Sequence, residues 1–278
     1  MKPILDPEQL SFRETSFELL LQKRVRRILL LCSSYDAFVL EEDGRVDEQI
    51  FKEYASLNLR NAPSIIQVDT SEAAFNMLKA NRIDLVISML SVRDTDSFSL
   101  AKDIKAGYPN IPFVLLTPFS REVSLRLRHE DLSAVDSVFC WLGNCDLLVA
   151  IIKLIEDRMN APHDIEDVGV QCILLVEDSI RYTSSYLPVL YKAIFKQLSQ
   201  FVREALNDHK RMLRMRGRPK ILHATTYDEA VDLYHRYKNN LQGVISDVTF
   251  KKEGAPDGDT VNAGFDLCRL IQIGRAHV

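Results

Sequence analysis

The chain has 278 residues, enough for two domains of ordinary size, with 46% hydrophobic and 27% charged residues, the proportions of a globular protein. A net charge of −4 argues against a nucleic-acid coat or an acidic tail. With no apolar run of membrane length and no signal-peptide pattern, the expectation is a cytoplasmic protein. The five cysteines, Cys32, Cys140, Cys145, Cys172 and Cys268, form no C-x-x-C pair and no metal-ligand spacing, which argues against a redox or zinc centre.

Asp6-Pro7-Glu8 sets a capping acid before a proline at the first helical position, predicting an N-terminal helix to about Gln22, within residues 1–24. Five short apolar runs follow: "VRRILLL", "SIIQVD", "DLVISML", "IPFVLLT" and "VDSVFCWL". Helical patterns such as "SEAAFNMLKAN" and "SFSLAKDIKAGY" lie between them, and "NCDLLVAIIKLIEDRMN" closes the unit. Strands alternating with helices predict βαβ units and a parallel sheet. Residues 25–160 therefore read as a complete five-stranded α/β domain. The polar segment "NAPHDIEDVG", with its Pro and Gly, reads as a linker, assigned to 161–170. The cycle restarts at 171 with strands in "QCILLVEDS", "PKILHAT" and "GVISDVTF" and a helix in "AGFDLCRLIQ". The second domain, 171–278, thus holds three of five expected strands. The last six residues, "IGRAHV" (273–278), are what a common sequencing-adapter sequence encodes in frame, so the natural sequence is expected to diverge near Gln272 and the gene to continue.

Asp178 and Asp247 are 69 positions apart, where two crossovers and a strand need only about 40. The surplus lies in "SSYLPVLYKAIFKQLSQFVREALNDHKRMLRMRG". Leu187, Tyr191, Ile194, Leu198, Phe201, Ala205 and Met212 recur at helical spacing on one face. Pro188 suits only a first turn. The expectation is a helix of about 30 residues that overhangs the sheet or breaks near Asn207-Asp208. Its apolar stripe would be covered by the first domain or by a second subunit.

The two halves align as an internal repeat. "ILLLCSS" matches "ILLVEDS", and "LVISML" matches "GVISDV", which sets Met89 opposite Asp247. In a flavodoxin-like sheet of order 2-1-3-4-5, strands 1 and 3 are neighbours at the switch point. Glu177 and Asp178 end strand 1 of the second copy and Asp247 ends its strand 3, so three carboxylates converge. Packed acids repel one another unless a cation joins them, and oxygen-only ligands suit Mg²⁺. With the metal present, one carboxylate can attack a phosphoryl group and form an acyl phosphate. Asp247, single on the central strand, is the predicted nucleophile; Glu177, Asp178 and Asp247 are the predicted Mg²⁺ ligands.

This pattern resembles the receiver domain of bacterial response regulators. The resemblance implies that the acidic pair binds Mg²⁺ and that Asp247 accepts phosphate from a histidine kinase or phosphotransfer protein. It also implies that a Thr or Ser after strand 4 and a Lys after strand 5 read the phosphate; in the second copy both positions fall past the end of the sequence. In the first copy Cys32 and Ser33 replace the acidic pair, Met89 replaces the phosphoacceptor, Trp141 stands at the Lys position, and Thr117 is retained. A thiol and a thioether supply no hard-oxygen cage, and Met forms no acyl phosphate. The first domain is accordingly read as a pseudo-receiver that binds a partner or the second domain. The leading helix, together with "CSSYDAFVLEEDGRVDEQIF", "TPFSREVSLRL", "FCWLGNCDLL" and "LRMRGRPKILHATTYDEA", resembles the N-terminal region of bacterial phosphoenolpyruvate/pyruvate-binding proteins of the pyruvate phosphate dikinase type.

Plainer readings compete. Acids at strand ends often cap helices or solvate loops. Met89 and Trp141 fit as packing residues, and Thr117 as a backbone-bonded hydroxyl. Lys210, Arg211, Arg214, Arg216, Arg218 and Lys220 read as a solvated helix end rather than a nucleic-acid patch, and Glu253, Asp257 and Asp259 as solvated loop acids. The six histidines form no phosphotransfer or metal motif, and there is neither a P-loop nor a G-x-G-x-x-G. The leading expectation is a two-component phosphorelay input region, not itself an enzyme. It would use Mg²⁺, regulate an attached output domain absent from this chain, and dimerise through the long helix. One alternative is the regulatory front of a phosphoenolpyruvate synthase or pyruvate phosphate dikinase-like phosphotransferase acting on ATP and pyruvate. The other is a pair of structural docking or dimerisation modules in which Asp247 is never phosphorylated.

Overall fold

The computed structural model describes residues 19–41, 45–57, 59, 61–90, 92–118, 127, 129–202, 216–252 and 262–275. Its contacts divide the described residues into two units, one within 24–155 and 179–192, the other within 1–23, 156–178 and 193–278.

The first unit is a parallel sheet of β1 (Arg27–Leu31), β2 (Ser64–Val68), β3 (Leu85–Met89), β4 (Phe113–Pro118) and β5 (Ser137–Trp141), in the order β2-β1-β3-β4-β5. The central strands are buried along nearly their whole length, which is why they read as unbroken apolar runs. Between them run α1 (Ser34–Leu40), α2 (Val46–Ser56), α3 (Ser71–Ala80) and α4 (Ser97–Gly107), with α5 (Asp146–Ala161) after β5. Three of these helices start on side-chain caps. Ser33 accepts from the Asp36 N–H, Thr70 from the Ala73 N–H, and Asp96 from the Phe98 and Ser99 N–H groups. Each cap stabilises its helix by about 1 kcal/mol.

The second unit repeats the opening of that pattern. Strands β6 (Cys172–Val176), β7 (Lys220–Ala224) and β8 (Leu241–Ser246) form a parallel sheet in the order β7-β6-β8. Helix α6 (Ile180–Val202) follows β6 in the chain, its residues to Lys192 grouping with the first unit and the rest with the second; α7 (Tyr227–Tyr237) follows β7, and α8 (Ala263–Arg275) follows β8. Leu174, Val176, Leu222, Ala224, Tyr234 and Leu267 form the centre of its core. Both sheets are thus of flavodoxin-like type, one of five strands and one of three.

Several details depart from the sequence reading. Most of the predicted N-terminal helix lies outside the described residues. At its end, Leu21 has a positive φ and donates its N–H to Asp164, so the segment leaves the helix before Gln22. The segment read as a linker continues α5 as a π-helical turn, Pro162–Asp167, in which Asp164 and Ile165 are buried. It stops at Gly169, whose φ of +85° suits glycine.

Pro188 is inside α6, not in its first turn. The helix begins a full two turns earlier because Ser179 starts it. The Ser179 Oγ accepts the Tyr182 N–H at 3.4 Å and its carbonyl accepts the Thr183 N–H at 2.9 Å. The inward face is Thr183, Ser184, Leu187, Tyr191 and Phe195, with Ile194 only half-buried. The hydroxyls at its start hid one turn of that face from an apolar count. The stripe at Leu187 and Tyr191 is covered by the chain itself. Ala205, Met212 and the Asn207-Asp208 break lie outside the described residues.

The last two residues of the basic run are not solvated. Lys210, Arg211 and Arg214 lie outside the described residues, but Arg218 and Lys220 are 1% and 0% exposed. Arg218 makes a two-pronged bond to Asp157 at 2.6 and 2.8 Å, and Asp157 also accepts the Ile221 N–H. Lys220 lies 2.7 Å from Asp164. Buried cations of this kind need carboxylate partners, and here α5 and the turn after it supply them. Burial holds the Lys220 ammonium below its usual pKa, with Asp157 and Asp164 pulling the other way. Glu253, Asp257 and Asp259 lie outside the described residues. Among the described residues no helix is long and apolar enough to cross a membrane.

Candidate functional site

The parallel ladders of the second sheet run one residue past each strand, into the acids. The Glu177 N–H donates to the Ala224 carbonyl at 3.1 Å, and the Asp247 N–H donates to the Val176 carbonyl at 2.9 Å. Glu177-Asp178 and Asp247 therefore leave the carboxyl ends of two adjacent strands together. One carboxylate oxygen from each of Glu177, Asp178 and Asp247 lies within 4.8 Å of the others. The three residues predicted from sequence are brought together, with Glu177 buried, Asp178 exposed and Asp247 between these extremes.

The cluster carries an electrostatic cost. Desolvation, and then the charge of Asp247, push the Asp178 carboxyl above its ordinary value. Asp178 as a residue is nevertheless open to water, and screening limits the energy at stake. The donor set is three hard oxygens with excess negative charge, which fits a divalent cation of the Mg²⁺ class.

Asp247 is held from several sides. Its Oδ1 accepts the Val248 N–H at 2.6 Å, and its carbonyl accepts the Ser246 hydroxyl at 2.7 Å. Gly264, in the first turn of α8, donates its N–H to the Val248 carbonyl at 3.0 Å. A Cβ at Gly264 would stand 2.2 Å from the Asp247 carbonyl oxygen, so only glycine permits this approach. On the other side of β6, His223 Nε2 is 3.0 Å from the Glu177 carbonyl oxygen. Burial lowers the pKa of this imidazole. Sequence reasoning missed both residues. Gly264 carries a weak signal, a glycine opening an apolar helix, whereas nothing local marks His223.

The corresponding positions of the first sheet have different chemistry. Cys32 is buried, and desolvation pushes its thiol up to about 12, so it offers no thiolate at neutral pH. Ser33 caps α1 and donates to Asp36. Met89 is packed at 3% exposure, and Thr117 donates to the Phe139 carbonyl at 3.3 Å. The Trp141 Nε1 is buried without a hydrogen-bond partner among the described residues.

No family model matches the chain, and no curated protein matches it. Among solved structures, it is similar to the receiver domain of a Francisella response regulator, at 15% identity over 48% of this chain and 98% of that one, with a TM-score of 0.35. It is similar to the signal receiver domain of a signal transduction histidine kinase from Syntrophus aciditrophicus, at 20% identity over 48% and 91%, TM-score 0.36. A third likeness is to the signal receiver domain of an HD domain-containing protein from Pseudomonas fluorescens, at 17% identity over 51% and 94%, TM-score 0.36. Each spans about half of this chain. The fold assignment rests on strand order, not on these scores.

Proposed function

We propose that the chain is a phosphorelay module in which Asp247 accepts a phosphoryl group with the help of Mg²⁺. The supporting observation is the convergence of three carboxylates, each with an oxygen within 4.8 Å of the others, at the carboxyl ends of adjacent parallel strands. Glu177, Asp178 and Asp247 would hold the metal. When bound, Mg²⁺ neutralises charge on the incoming phosphate and on the acids.

The chain's own groups do the rest. The Val248 N–H fixes the Asp247 carboxylate through Oδ1, which orients it for attack. A carboxylate oxygen of Asp247 bonds to phosphorus as the bond from phosphorus to the donor breaks. The donor leaves with that electron pair and takes a proton from solvent. The product is an acyl phosphate on Asp247. The natural donor would be a histidine kinase or phosphotransfer protein, and the modified unit would bias an attached output domain. The first unit, with Cys32 and Met89 where acids would be needed, serves as a docking module.

Incubation of the chain with Mg²⁺ and acetyl phosphate tests this reading. One phosphoryl group per chain should appear by intact mass, be released by hydroxylamine, and be lost without Mg²⁺ or in Asp247→Asn. An unlabelled wild-type chain, or equal labelling of Asp247→Asn, would overturn it.

A further inference from the structure

His223 lies against the backbone of the acid pair, and the chemistry proposed above makes no use of it. Strand β7 sets it in register with Leu175, and its Nε2 reaches the Glu177 carbonyl oxygen at 3.0 Å. A carbonyl only accepts, so Nε2 is the donor, as it can be in either the neutral or the charged ring. That carbonyl belongs to the peptide joining Glu177 to Asp178. The preceding peptide is already tied through the Glu177 N–H to Ala224. Past Ala224 the amides of β7 turn elsewhere: the Thr225 N–H donates to Glu229 at 2.8 Å, and the Tyr227 N–H to the Lys251 carbonyl. A side chain supplies the donor where the ladder ends.

We propose that His223 is a positioning residue for the cation site: its Nε2–H fixes the plane of the Glu177–Asp178 peptide, so that both carboxylates meet Asp247 already oriented. The proposal rests on the reading of the cluster as a divalent-cation site. An outer partner that orients ligands this way is generally worth about 10–100-fold in metal affinity. It acts through the backbone and touches neither metal nor phosphate.

The test is Mn²⁺ titration of the full chain by electron paramagnetic resonance, with hydrogen exchange of the Asp178 amide as a metal-independent readout. His223→Leu should weaken Mn²⁺ binding about tenfold or more and speed exchange at Asp178. His223→Gln, whose amide can donate in place of the ring, should restore most of both. If His223→Leu does not fold, His223→Met against His223→Gln is judged by the same criterion. Wild-type affinity in the variant without a donor, or equal loss with and without one, would overturn the positioning role alone. If the wild type binds no Mn²⁺, or Asp178→Asn binds it as well as wild type, the cation reading falls and this proposal with it.

Discussion

Asp178 carries a visible electrostatic strain, and the sign of its effect is fixed. Its folded-state pKa is raised, by desolvation first and Asp247 second. A carboxyl that holds its proton more tightly when folded favours the native state fully below the ordinary carboxylate pKa. That contribution is lost as pH rises through the raised value. At neutral pH, without metal, the charge is therefore a net burden. Asp178→Asn should raise the metal-free melting temperature at pH 7, and the difference should shrink as pH falls through the carboxylate range. Mg²⁺ at one hundred times its dissociation constant should stabilise the wild type by about 2.7 kcal/mol, an increment that chelation and Asp178→Asn both remove. Thermal melts at several pH values, with Mg²⁺ and with chelator, check both statements. The convergence of Glu177, Asp178 and Asp247 was legible because an acid that ends an apolar strand has few places to go, and the 2-1-3 order sets two such ends side by side. Arg218 and Lys220 were misread because their partners, Asp157 and Asp164, are more than fifty positions away in sequence. His223 acts through a backbone atom, which leaves no mark on local composition.

Helices are where the sequence reading lost precision, and they also position the site. The strands of both sheets announced themselves as apolar runs. Helix α6 did not show its start, because Ser179, Thr183 and Ser184 begin it with polar residues and Pro188 looked like a boundary. The proline lies within the helix, although it lacks the N–H that would bond one turn back. Helix α8 matters more directly. Its first turn approaches Asp247 so closely that a Cβ at Gly264 would collide with backbone, which cannot swing aside as a side chain can. Gly264→Ala should destabilise the chain by about 1–3 kcal/mol and sharply reduce Mg²⁺-dependent labelling of Asp247. Gly243→Ala, in β8 with nothing within 4 Å of its added Cβ, should stay within about 0.5 kcal/mol of wild type. Urea denaturation and intact-mass labelling of the two variants provide the comparison.

At the scale of the whole molecule, one strand order occurs twice with different side chains at the strand ends. The order β2-β1-β3 is repeated as β7-β6-β8, so the internal repeat read from sequence has its counterpart in three dimensions. In one unit the strand ends carry three carboxylates within 4.8 Å. In the other they carry a buried thiol, a capping serine and a packed methionine. That division of labour is what we propose: one unit takes the phosphate, and the other is a docking surface. A crystal structure of the chain with Mg²⁺ and beryllium fluoride, a phosphoryl mimic, tests it most directly. One Mg²⁺ is expected among Glu177, Asp178 and Asp247, about 2.0–2.1 Å from the oxygens it takes directly, with the fluoride complex on the Asp247 carboxylate and neither species at Cys32 or Met89. An acid cluster that holds no ion under these conditions, or a fluoride complex seated on another side chain, would contradict it.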